Sequence, residues 1–175
     1  MGQYYYPIIL DSQGKIVAWM YAHQYSNGLK LMEHSFIENG FVSALEWELT
    51  SEGSFHKYRL VWAGDYADQE EDGENLYHQC KEDLCIHPEY SAHQYPYLVN
   101  HSKKQFVDKN KVPANRDGMR VHPLPLLTCE GNGRGGGDYP HDHALIGLWA
   151  RDVISVEKEK PLGFVEILFD LMERV

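Results

Sequence analysis

Tyr4-Tyr5-Tyr6-Pro7-Ile8-Ile9-Leu10 and Ile16-Val17-Ala18-Trp19-Met20-Tyr21, separated by Asp11-Ser12-Gln13-Gly14-Lys15, are the stretch whose reading decides the fold. Aromatic and β-branched residues flank a short polar turn containing Gly, which predicts a β-hairpin. Pro7 has no amide donor for a ladder, so its strand is expected at an edge or with a bulge. Further along, Asn27-Gly28 predicts a turn, and residues 29–34 read equally as a short strand or a helical turn. Asn39 is a cap for a helix over about 40–49, where Phe41, Val42, Ala44, Leu45 and Leu49 share one face. Residues 56–62 read as a strand, and Leu76, Tyr77, Cys80 and Leu84 have the spacing of a short helix with one buried stripe.

A second hairpin is expected from Tyr97-Leu98-Val99 and Gln105-Phe106-Val107. Residues 121–127 hold two prolines and read as extended, and 146–156 and 164–171 have strand character. In the last of these, Val165, Ile167, Phe169 and Leu171 alternate with Glu166 and Asp170. Strands outnumber helices and few βαβ intervals occur. The expected class is therefore α+β: a mainly antiparallel sheet with hairpins and one or two packed helices, in a single domain over 1–175.

A net charge of −10 argues against unspecific binding to a nucleic-acid backbone. The sequence has no run of about 18 apolar residues to span a membrane. Met1-Gly2-Gln3-Tyr4 lacks the basic and apolar regions of a signal peptide. Three cysteines, an odd number, fit a reducing compartment. A cytoplasmic location is expected.

The segment Glu130-Gly131-Asn132-Gly133-Arg134-Gly135-Gly136-Gly137-Asp138-Tyr139 carries the strongest chemical signal. Its glycines leave the backbone open to a ligand and permit consecutive N–H groups to face one concavity. Arg134 adds a planar fork of donors for phosphate or carboxylate. The Lys-Ser/Thr ending of a P-loop is missing, and Asp138-Tyr139-Pro140 does not open a helix, so neither nucleotide fingerprint is complete. A packing loop without a ligand is the competing reading.

Other groups are candidates for the same site or for separate chemistry. Asp65, Tyr66 and Asp68 form an acidic turn with one aromatic ring, and Trp149 and Asp152 are a further ring and acceptor. His141 and His143, with Asp138 and Asp142 beside them, have the donor types of a metal site. His78, Cys80, Cys85 and His87 have the types of a zinc site but too wide a Cys spacing, so Cys80 reads as a small core residue. Cys129 lies near His122, His141 and His143, while Glu46 and Glu48 fall on different helical faces and make no carboxylate pair.

The opening Met1-Gly2-Gln3-Tyr4-Tyr5, the run Asn27-Gly28-Leu29-Lys30-Leu31-Met32-Glu33-His34, Ala63-Gly64-Asp65-Tyr66-Ala67-Asp68 with Asn75-Leu76-Tyr77, and Gly131-Asn132-Gly133-Arg134-Gly135-Gly136-Gly137-Asp138 together resemble a group of hypothetical proteins encoded by bacteria and their phages. That resemblance implies no catalytic residue or cofactor; its setting suits a small accessory protein, including one that counters host defence. The leading expectation is a binding protein for a nucleotide-like anion. Gly131 to Gly137 and Arg134 would hold phosphate; Tyr66, Tyr139 or Trp149 would stack on a base; Asp65 and Asp138 would accept hydrogen bonds from ribose or base. The alternatives are a metal-dependent phosphoester or glycoside hydrolase using Asp65, Asp68, Asp138, His141 and His143, and an acidic protein inhibitor that covers a basic site on a nucleic-acid enzyme.

Overall fold

Strands β1 (Tyr5–Leu10) and β2 (Ile16–Trp19) form the expected hairpin, and they begin an eight-stranded sheet. The structure, a computed structural model, describes residues 3–89, 93, 95–132 and 143–171. After the hairpin come helices α1 (Leu31–His34) and α2 (Gly40–Glu48), then strand β3 (Tyr58–Gly64) and the antiparallel pair β4 (Tyr97–Asn100) and β5 (Gln105–Asp108). Helix α3 (Pro123–Leu127) leads directly into β6 (Cys129–Glu130), and β7 (Val153–Glu157) and β8 (Val165–Glu166) complete the described chain. The sheet order is β2-β1-β3-β7-β4-β5-β8, with β6 also on β3. Pairing is antiparallel except for β3 with β6 and β5 with β8, so the α+β class with a mainly antiparallel sheet holds.

The central strands are buried on both faces. Ile9, Ala18, Leu60 and Trp62 pack on one side with α2 and α3. Ile8, Leu10, Trp19, Val61 and Ala63 pack on the other, beneath Leu76. This is the period-two alternation of a strand expressed twice over. On the first side α2 starts where expected: the Asn39 side chain accepts hydrogen bonds from the amides of Phe41 and Val42. Phe41, Val42, Ala44, Leu45 and Leu49 are all fully buried.

Several local expectations are corrected. β1 is interior to the sheet despite Pro7. The Pro7 carbonyl accepts from the Met20 amide, so its nitrogen faces the β2 side just past the last paired residue. The strand does carry an irregularity, between Ile9 and Leu10. Residues 121–127 are not extended, because Pro123 and Pro125 fall in the first turn of α3, where an amide has no intrahelical acceptor to lose. The helix expected around Leu76 to Leu84 is a set of turns and a 3-10 turn at Glu82–Leu84. There the Asn75 side chain donates to the carbonyls of Asp65 and Ala67 and accepts the His78 amide, and Gln79 donates to the Glu74 carbonyl. Residues 146–152 are turns, and the strand begins only at Val153.

β6 and β7 lie end to end along one edge of β3. β7 pairs at Tyr58 and Arg59, and β6 pairs at Trp62 and Ala63. The turns over 146–152 fill the gap: the amides of Gly147 and Trp149 donate to α3 at Leu126 and Leu127, and that of Arg151 to Leu60 of β3. No described helix is long and apolar enough to cross a membrane.

Candidate functional site

Gly133, Arg134, Gly135, Gly136, Gly137, Asp138, Tyr139 and His141 lie outside the described residues. The root of their loop is described. Gly131 and Asn132 follow β6, and Glu130 is gripped by Arg151 in a bidentate pair, Nε to Oε2 and Nη2 to Oε1, each 2.8 Å. Arg151, at a left-handed φ of 67°, also reaches Glu70, so two carboxylates engage its guanidinium. Asp65 is at the same root. A Cβ on Gly64 would stand 3.0 Å from the Glu130 carbonyl, which is how closely the two chain segments approach. The Asp65 carboxylate accepts the Tyr4 amide at 3.0 Å, and Tyr66 beside it is half exposed. Asp68 lies three residues beyond Asp65 in the same loop.

Two expected members do not join this root. Trp149 is fully buried and donates from Nε1 to Gln105 Oε1 at 2.9 Å, so it has no face for a base. Asp152 turns to the β4–β5 hairpin, where it accepts from Asn100 Nδ2 at 2.8 Å and from Lys103. His143 Nδ1 accepts the Leu145 amide. Among the described residues no group of three His, Cys, Asp or Glu side chains is arranged to hold a metal. Burial pushes the Cys80 thiol up to about 12, which suits the small core residue expected of it.

A second polar cluster lies elsewhere and centres on Glu46. Its place in α2 is four residues after Val42 and three before Leu49, inside the apolar stripe, and it is fully enclosed. Glu46 Oε2 pairs with Lys109 Nζ, and Oε1 lies 2.9 Å from His122 Nε2. His122 caps α3: its Nδ1 accepts the Leu124 amide at 3.1 Å and is therefore unprotonated, leaving the ring proton on Nε2.

Burial pushes the His122 ring below its ordinary range, with Lys109 and His93 adding to the effect against the pull of Glu46. Burial alone would raise the Glu46 carboxyl, but His122 and Lys109 outweigh it and hold it below the usual carboxylate range. Lys109 is the permanent positive charge against Glu46, with the His122 ring beside it.

A cavity of about 390 Å³ opens onto this cluster, lined among others by Glu46, Lys109, His93, Tyr95, Arg120 and Glu38. The His93 ring lines it too, its Nδ1 accepting the Tyr95 amide and its Nε2 buried near the Ser43 backbone. Burial lowers its basicity too, opposed by Glu46. The walls are tied together by backbone pairing: Ile37 donates to the Arg120 carbonyl, His122 to that of Ser35, and Phe36 bridges Val121. Arg120 donates from Nε to the Val112 carbonyl and from Nη2 to that of Lys109, which fixes the guanidinium at the wall.

Sequence reasoning passed over Glu46 by asking only whether it paired with Glu48. The available signal was a carboxylate within an apolar helical stripe. No family description, curated protein or solved structure matches the chain.

Proposed function

We propose that the protein binds a small polar molecule in the cavity above Glu46. The observation that carries this reading is a 390 Å³ space lined by the buried Glu46–Lys109 pair, the His93 ring and the charged residues Glu38 and Arg120. Ligand sites combine a concave space with a few convergent polar groups whose ionisation is perturbed. Thermal shift measurements with a panel of amino acids, short carboxylates, amines, polyols and nucleotides test it. At least one compound is expected to stabilise the native chain and to fail with His93→Phe. No stabilisation by any class, or equal stabilisation of the variant, overturns the reading.

A second reading keeps the glycine loop as a site for a nucleotide-like anion, in a phage or prophage accessory protein that sequesters it. What favours it is the built root: the Arg151–Glu130 clamp beside Asp65, Asn132 and the half-exposed Tyr66. Arg151 is already engaged by two carboxylates, so the phosphate falls to Arg134 and the glycine amides, with Tyr66 stacking on the base. Nucleotide titrations of Arg134→Ala and Tyr66→Ala are expected to show lost and weakened binding respectively. Unchanged affinity in Arg134→Ala removes this reading.

A further inference from the structure

Glu38 and Arg120 face the same cavity with opposite charges, and among the described residues neither makes an ion pair with another side chain. Each is held in place by the backbone. Arg120 is fixed through its two carbonyl contacts, and Glu38 is the third residue of a turn closed by the Asn39 amide on the Phe36 carbonyl. Glu38 has a φ of 77°, a left-handed conformation in which Gly or Asn is the ordinary occupant. A long acidic side chain is therefore kept at a strained position on the cavity rim. Strain of this kind persists where the surroundings over-determine it, as they do at ligand clamps. The floor adds no net charge, since Glu46 and Lys109 cancel.

We infer that the ligand is an amino-acid-sized zwitterion, its anionic group toward Arg120 and its ammonium toward Glu38, with the His93 ring in the wall beside it. This rests on the cavity reading above and narrows it. The volume of about 390 Å³ lies at the small end of ligand sites and suits a molecule the size of an amino acid. A lone carboxylate would satisfy Arg120 and leave Glu38 facing it; a lone amine would do the reverse. Only a molecule carrying both charges complements both walls.

The test is calorimetric titration of the full chain with each of the twenty protein amino acids. The best binder is then compared with the matched amine and the matched carboxylic acid, each lacking one charged group. The zwitterion is expected to bind at least about tenfold more tightly than either half-molecule. Glu38→Gly provides the second arm, because glycine relieves the strained backbone while removing the carboxylate. Its midpoint of thermal unfolding is expected to rise by about 2–4 °C. Its affinity for the amino acid is expected to fall to that of the carboxylic acid. Equal binding of amino acid and carboxylic acid, or full affinity in Glu38→Gly, overturns the zwitterion. If a neutral or singly charged compound binds in a His93-dependent way instead, the zwitterion fails and the cavity reading stands. If nothing binds, both fail.

Discussion

Replacing Lys109 with Met isolates the role of the buried ion pair. Lys109→Met keeps most of the side-chain volume and removes the charge that faces Glu46, whose carboxylate is almost fully enclosed. Breaking one side of a buried pair costs about 3–5 kcal/mol, because the remaining charge is left without compensation. The pH dependence gives a sharper signature than the size of the loss. In the native chain Glu46 is held below its ordinary range, so its contribution is present above the unfolded value near 4.5 and fades as pH falls toward the lower folded value. Without Lys109 one of the two groups opposing burial is gone, and the folded carboxyl is expected to rise.

The gap between native and variant is then widest at neutral pH and narrows on acidification, because the variant carboxyl takes up a proton. Urea unfolding followed by Trp fluorescence at pH 7 and about pH 4.5 measures it. The double variant Lys109→Met/Glu46→Gln, which leaves no buried charge, is expected to recover most of the loss. A single-variant cost under about 1 kcal/mol, or a gap independent of pH, refutes the pairing as described.

Other expectations follow from separate parts of the fold. His34 is enclosed; its Nδ1 contacts the Gly28 carbonyl, its Nε2 accepts from Trp62 Nε1, and burial pushes it down to about 4 from 6.5. A lowered histidine resists protonation in the folded state, so stability falls as pH drops through 6.5 and levels near 4. The loss is about 3 kcal/mol at most and is expected to vanish from the pH profile of His34→Gln. Asn39→Ala removes the acceptor for two amides at the start of α2, and chemical unfolding is expected to show a loss of about 1 kcal/mol.

The elements legible in the sequence were those whose cause is local. The first hairpin, the α2 cap and the β4–β5 hairpin each rest on residues within one short stretch. Elements set by distant partners were misread. The prolines of 121–127 look extended until His122 is seen capping a helix whose first turn accepts them. Residues 146–152 look like a strand, but they are turns because their amides are taken by α3 and β3. The cavity obeys the same rule. Glu46 and Lys109 are separated by 63 residues, and nothing near either one names the other. The acidic turn at Asp65 and the start of the glycine loop do meet, through the close approach of Gly64 to Glu130. Trp149, chosen as an aromatic platform, is instead core, since an indole near a loop can face either way.

The central claim is that the Glu46 cavity holds a small polar ligand against His93. The most direct measurement is the imidazole nitrogen resonances of His93 in ¹⁵N-histidine-labelled protein, titrated with the amino-acid panel. A selective shift of the His93 Nε2 signal, saturating with ligand and absent in His93→Phe, is the predicted result. A His93 signal unmoved by a compound that binds the protein elsewhere would contradict the account.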